Sequence, residues 1–251
     1  MQKMWGNIRD NDRRGLSEDR GDPGIPMPWG DPWEGTLVAE DLGMIIALDR
    51  KSQDCVDHGC LQLRTPLTQY AREDHVWWVM DNGSFSNFDV QKFTRMASAG
   101  FGDPWCKWIA LPDEVGDHEK TLEYFHYWQD YFSRQWIPTR DRITSKSAFV
   151  LQDGATIETI PWDKITAVFL GGSTRFKLSR RAYEILDHAR DLGKWVHVGR
   201  VNTTSRIVHF HGIADSIDGS GIARFDEMLR SALATIRELD QRPQSKLEEW
   251  T

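Results

Sequence analysis

The sequence predicts an α/β protein folded as a (β/α)8 TIM-like barrel. Three observations predict it. From about residue 43 onward, short continuously apolar runs bounded by turn residues recur along the chain. Strands that are apolar at every position are buried on both faces, as in a parallel sheet. Amphipathic helical patterns lie between most of these runs, and 251 residues is a size at which such barrels form one domain.

The strand candidates are, in order, "MIIALD" (44–49), "VWWVMD" (76–81), "CKWIAL" (106–111), "SAFVLQ" (147–152), "AVFLGG" (167–172), "WVHVGRV" (195–201) and "DSID" (215–218), with an eighth near residues 60–65. The helix candidates are 89–100, with Asp89 as N-cap and Gly100 at the end, then 117–135, then 179–193 from Ser179 to a terminal Gly, and 225–241. Residues 1–35, rich in Gly, Pro, Asp and Arg without periodicity, read as a poorly ordered or extended arm. Residues 36–251 then form a single barrel domain. A doubly wound open sheet is the alternative; the sequence lacks both the Gly-x-Gly-x-x-Gly fingerprint and a Gly-Lys-Ser/Thr phosphate loop.

A net charge of −7 excludes a protein that coats nucleic acid by overall charge. It leaves local patches: "TRFKLSRR" (174–181) holds Arg175, Lys177, Arg180 and Arg181 and no acid, and "TRDRITSK" (139–146) is also cation-rich. No apolar run approaches the roughly 18 residues of a membrane span, so no membrane partner is expected. The N-terminus has no apolar signal-peptide core, and the cytoplasm is the expected compartment. Three cysteines are too few and too scattered for a disulfide framework. Cys55 and Cys60 bracket His58 in "CVDHGC", but the spacing is not a standard zinc pair and no second pair follows. A polar turn without metal is expected there.

In a barrel the site lies at the C-terminal ends of the strands. Those ends deliver Asp81, Asn82, Gly83 and Ser84; Asp113 and Glu114; Gln152 and Asp153; Gly171, Gly172 and Ser173; Gly199, Arg200 and Asn202; and Asp218 with Gly219. Carboxylates and an amide from separate strands would converge on one mouth, and paired glycines let a flat ligand approach the backbone. This set suits a planar hydrogen-bonding ligand such as a purine. One carboxylate could attack carbon while another handles protons.

The ordered series resembles the tRNA-guanine transglycosylase superfamily over roughly residues 76–222. "DNGSF" is similar to its Asp-Ser-Gly-Gly-Phe-Gln motif, "LPDE" to Phe-Asp-Glu, "VLQDG" to Val-Gln-Gly-Gly, "FLGGS" to Gly-Gly-Leu, and "HVGRV" to Met-Gly-Val. "DSIDGSG" falls where the family places its nucleophile strand. The resemblance implies that Asp81 is the acid/base group and Asp218 the nucleophile that attacks C1′, with Asp215 as the fallback. It implies that Asp113, Gln152, Gly171, Gly172, Gly199 and Ser84 bind the base. Ser86 stands where the family has Gln, and Ser173 where it has Leu. The family's Cys-x-Cys-x2-Cys…His zinc site, and the subdomain built on it, are absent from the sequence.

A short, zinc-free chain of this kind looks most like the phage and bacterial DpdA-like proteins, which insert 7-deazaguanines such as preQ0 into DNA. What the resemblance implies is a pentosyltransferase that exchanges guanine in DNA for a free 7-deazaguanine through a covalent Asp–sugar intermediate, without cofactor. Arg175, Lys177, Arg180 and Arg181 would contact the nucleic acid, in the host cytoplasm for a phage-encoded chain. The alternatives are the same exchange on tRNA or other RNA, hydrolytic release of the base, and a non-catalytic nucleic-acid-binding accessory subunit.

Overall fold

The computed structural model describes residues 43–68, 70–84, 88–135 and 143–241. They fall within one compact unit, Ala39–Thr251. The arm expected at 1–35, the first residues of the 139–146 basic stretch and Ser86 lie outside the described residues.

The strands are β1 (Ile45–Leu48), β2 (Leu61–Arg64), β3 (Trp78–Met80), β4 (Cys106–Ala110), β5 (Ser147–Leu151), β6 (Ala167–Leu170), β7 (Trp195–Val198) and β8 (Ser216–Asp218). Each pairs in parallel with the next, and β8 pairs with β1, so the sheet closes into a barrel in chain order. The chain is therefore an α/β barrel, and its eight strands include the one expected near residues 60–65. A parallel strand must return through a crossover, and most of these crossovers are helices. They are α1 (Ser52–His58), α2 (Val90–Gly102), α3 (His118–Gln135), α4 (Thr174–Lys177), α5 (Arg180–Asp191), α6 (Thr204–Phe210), α7 (Ser220–Arg224) and α8 (Asp226–Asp240).

The caps explain the helix starts. The Asp89 side chain accepts from Lys92 N–H at the start of α2, and Ser179 accepts from Ala182 N–H at the start of α5. Two stretches differ from expectation. Residues 55–58 of "CVDHGC" form the end of helix α1, which Gly59 closes at φ 66°, in place of the polar turn expected there. Cys55 sits inside this helix with its thiol buried, and burial pushes both the Cys55 and Cys60 thiols up to about 12. The cation-rich "TRFKLSRR" spans the whole of α4 and the start of α5. Ser173 caps α4 through Phe176 N–H, and α5 begins at Arg180.

Alternate residues of each strand face the barrel axis. The interior is Ala47, Leu61, Leu63, Val79, Trp108, Ala110, Ala148, Val150, Ala167 and Phe169, with Ile45, Trp77 and Trp195 partly buried against them. Trp108 is the largest of the fully buried side chains. Its indole N–H has no hydrogen-bond partner, so its contribution is packing alone. Trp108→Ala is expected to destabilise the fold by about 3–5 kcal/mol. Trp108→Phe is expected to cost much less, because no hydrogen bond is lost. Urea unfolding of the two variants checks both, and equal costs would contradict the packing account.

Candidate functional site

The C-terminal ends of β3 to β8 open onto a cavity of about 440 Å3. Its wall takes Asp81 from the end of β3, Asp113 after β4, Gln152 after β5, Gly171 and Gly172 after β6, Gly199 after β7 and Asp218 from β8. A second cavity, of about 630 Å3, lies on the other side of Asp218. It is lined by Asp49, Arg50, Lys51, Thr65 and Tyr70 among others, and shares Asp218, Ser220 and Arg224 with the first. Asp218 thus stands in the wall between two spaces.

Two carboxylates of the site are pushed in opposite directions. Burial raises Asp81 to about 6, and the neighbouring negative charges of Asp218 and Asp113 add to the rise. The Gly83 N–H, donating to Asp81 Oδ1 at 2.8 Å, opposes it only in part. Burial also acts upward on Asp218, but its hydrogen bond to the His197 ring, the Arg200 N–H and the Lys177 cation outweigh it. Asp218 is held below the ordinary value.

The Asp218 carboxylate is gripped at both oxygens. Oδ2 lies 3.0 Å from His197 Nε2, and Oδ1 accepts from Arg200 N–H at 3.1 Å. Arg200 adopts φ 61°, a conformation uncommon outside glycine, and the Arg206 guanidinium donates to its carbonyl at 3.1 Å. Gly199 is required beneath this grip. A Cβ there would come within 2.7 Å of the Phe169 ring and 3.3 Å of Asp218 Oδ2.

Asp113 and Gln152 hold each other. Gln152 Nε2 donates to Asp113 Oδ2 at 2.5 Å, and Asn82 Nδ2 donates to Asp113 Oδ1 at 2.8 Å. Gln152 Oε1 in turn accepts from Gly116 N–H at 2.9 Å. Burial raises the Asp113 carboxyl against these hydrogen bonds. The network spends the amide acceptor on the protein, and it fixes Asp113 with one further lone pair on each oxygen. Gly172 has φ 76°, and a Cβ there would meet Asp153 Oδ2 at 2.8 Å. Asp153 is occupied in holding this turn, accepting from Ser173 N–H at 2.7 Å and Ser173 O–H at 2.5 Å.

No protein-family model matches the chain, and no curated protein matches its sequence.

Asp81, Asp113, Gln152, Gly171, Gly172, Gly199 and Asp218 come together as the strand-end reading expects. Ser84 does not line the cavity; its Oγ accepts from Asp113 N–H at 3.4 Å and its own N–H donates to Asn82. Asp215 precedes β8, at the opposite end of the strand, where its carboxylate accepts from Val196 N–H at 2.6 Å. Arg175, Arg180 and Arg181 are exposed, Arg180 pairing with Glu184 at 2.7 Å. Lys177 is different from these three. It is buried, lines the cavity and donates to the Gly199 carbonyl at 2.5 Å. Burial lowers it to about 8, while Asp218 pulls it upward. Sequence reasoning missed His197 entirely. The available signal was a polar residue inside the apolar run "WVHV", two positions before Gly199. Among the described residues no group of three or more His, Cys, Asp or Glu side chains is arranged to hold a metal ion.

The raised value of Asp81 has a sign that can be checked. Between the ordinary 3.8 and about 6 the folded protein keeps a proton that the unfolded chain has released. Stability from this group is full below 3.8 and is lost as pH rises through 6. Asp81→Asn is expected to be more stable than the parent at pH 8 and to lose that advantage at about pH 4. Urea midpoints at the two pH values decide it, and a difference independent of pH would contradict the assignment.

Proposed function

We propose that the chain is a guanine transglycosylase that exchanges guanine in DNA for a 7-deazaguanine base of the preQ0 type. One observation carries the reading: two carboxylates on one cavity, one held below the ordinary value by its hydrogen-bond partners and the other raised by burial to about 6, so that it keeps its proton to a higher pH. Pairs of titratable groups driven apart in this way divide nucleophile from acid/base. Asp113 and Gln152 in the wall supply a fixed acceptor and an amide donor for a planar base, and Gly171 and Gly172 leave its approach open. The order of these residues matches the transglycosylase resemblance.

In this reading Asp218 attacks C1′ of the nucleotide and forms a sugar ester as the C1′–N9 bond breaks. The electron pair of that bond leaves with guanine, which takes a proton from the Asp81 carboxyl. A 7-deazaguanine enters, gives its N9 proton to Asp81 and attacks C1′, releasing Asp218 as carboxylate. Two inversions retain configuration. The target nucleotide must leave the helical stack or be single-stranded to reach the cavity. The exposed Arg175, Arg180 and Arg181 are the proposed phosphate contacts, and Lys177 acts inside the pocket instead.

The test is nucleoside mass spectrometry of DNA and tRNA, each incubated with the protein and preQ0. The modified deoxynucleoside is expected in DNA, and Asp218→Asn is expected to lower its yield by at least a thousandfold. Modification of tRNA alone would overturn the DNA assignment, loss of guanine without incorporation would indicate hydrolysis, and no reaction at all would favour a nucleic-acid-binding accessory role.

A further inference from the structure

The inner faces of β7 and β8 are unlike the rest of the barrel. Where the other strands turn mainly apolar side chains inward, these two contribute Trp195, His197, Ser216 and Asp218. The pairing of β7 with β8 sets His197 beside Ser216. Trp195 Nε1 lies 2.8 Å from Ser216 Oγ, Ser216 Oγ lies 2.8 Å from His197 Nδ1, and His197 Nε2 lies 3.0 Å from Asp218 Oδ2. His197 is fully buried, with its ring between Trp108 and Phe169 at centroid distances of 4.9 Å and 4.7 Å.

We propose that His197 is a positioning residue for Asp218, and that the chain Trp195–Ser216–His197–Asp218 fixes which imidazole nitrogen carries hydrogen and aims it at the carboxylate. The direction follows from the first member. An indole N–H can only donate, so Ser216 Oγ accepts from Trp195. The Ser216 hydroxyl proton is then directed to His197 Nδ1, the other polar atom within reach. With Nδ1 accepting, the hydrogen of a neutral imidazole is on Nε2, facing Asp218 Oδ2. The held-down titration of Asp218 agrees with a donor at that position.

This arrangement suits a carboxylate that must keep one orientation before any ligand arrives. His197 holds Oδ2 from inside the barrel and Arg200 N–H holds Oδ1 from the rim. His197 gives up no proton when Asp218 reacts. The same Nε2–H can donate to a carboxylate oxygen or to the carbonyl oxygen of an ester. The purpose assigned here rests on Asp218 being the reacting carboxylate, whereas the hydrogen-bond chain does not.

The test therefore uses the full chain without substrate. The other charged groups lining the two cavities that Asp218 shares are Asp81, Asp113, Lys177, Arg200 and Arg224 in the first and Asp49, Arg50, Lys51, Asp54, Arg224 and Asp226 in the second, and none of them is altered. Nitrogen-15 NMR of the parent protein is expected to show hydrogen on His197 Nε2 and none on Nδ1 at neutral pH. Carbon-13 titration of the Asp218 carboxyl, assigned with Asp218→Asn, is expected to move upward by about one pH unit or more in His197→Phe, a tenfold or greater rise in proton affinity. His197→Gln, which retains an N–H donor, is expected to return it toward the parent value. A bare Nε2 in the parent protein would overturn the proposal, as would a folded His197→Phe variant in which Asp218 titrates unchanged. Should His197→Phe fail to fold, the nitrogen-15 result on the parent protein decides alone. Failed base exchange with the expected NMR result would count against the transglycosylase reading and leave His197's role standing, and the reverse outcome would do the opposite.

Discussion

Closing eight strands of three to five residues into a parallel barrel is the constraint on which everything else depends. Parallel pairing in chain order brings every C-terminal end to one rim, so residues far apart in sequence meet there. The same closure gives each strand an inward face largely shielded from water. Apolar residues fill most of it. Where β7 and β8 place polar groups inside, burial would be costly unless those groups satisfied one another. They do so in a line that ends at Asp218. One oxygen of Asp218 is thus held from the barrel interior by His197 and the other from the rim by Arg200 N–H.

Asp81 and Asp218 differ because their partners differ, not because one is buried and the other is not. Burial acts upward on both. Asp81 receives one backbone N–H and faces two other carboxylates, with the Arg200 cation only partly offsetting them. Asp218 receives an imidazole and a backbone N–H and faces an amine. A proton-holding group and an ionised group on one cavity is the division of labour that glycosyl transfer needs. Asp113, raised by burial, and Lys177, lowered to about 8, titrate in the same cavity.

Much of this was legible in the sequence, and for physical reasons. Apolar runs without alternation located the strands because both faces of a parallel sheet are covered. The caps Asp89 and Ser179 marked helix starts because few other side chains satisfy the first free N–H groups. The strand-end residues found the cavity because barrel closure places them together. Short helices escaped. Residues 52–58 and 174–177 are short and mostly polar, with too few apolar positions to show a helical period, and their ends are set by Gly59 and by the Ser173 cap held by Asp153. Lys177 read as a surface cation because nothing local shows that α4 turns it toward Gly199. His197 stayed hidden because its meaning lies in Ser216, 19 residues away and adjacent only through the β7–β8 pairing. That Asp218 ends β8 at the cavity while Asp215 precedes the strand at the other end of the barrel required the strand's bounds, which a short run does not show.

The central claim is that Asp218 bonds to the sugar carbon. The most direct measurement is the intact mass of the protein after denaturing quench from a guanine-containing oligodeoxynucleotide, followed by peptide mapping. The account expects an adduct of the oligonucleotide less guanine on the peptide that contains Asp218, discharged when a 7-deazaguanine is added. An adduct mapped to any other residue, or base exchange that persists in Asp218→Asn, would contradict it.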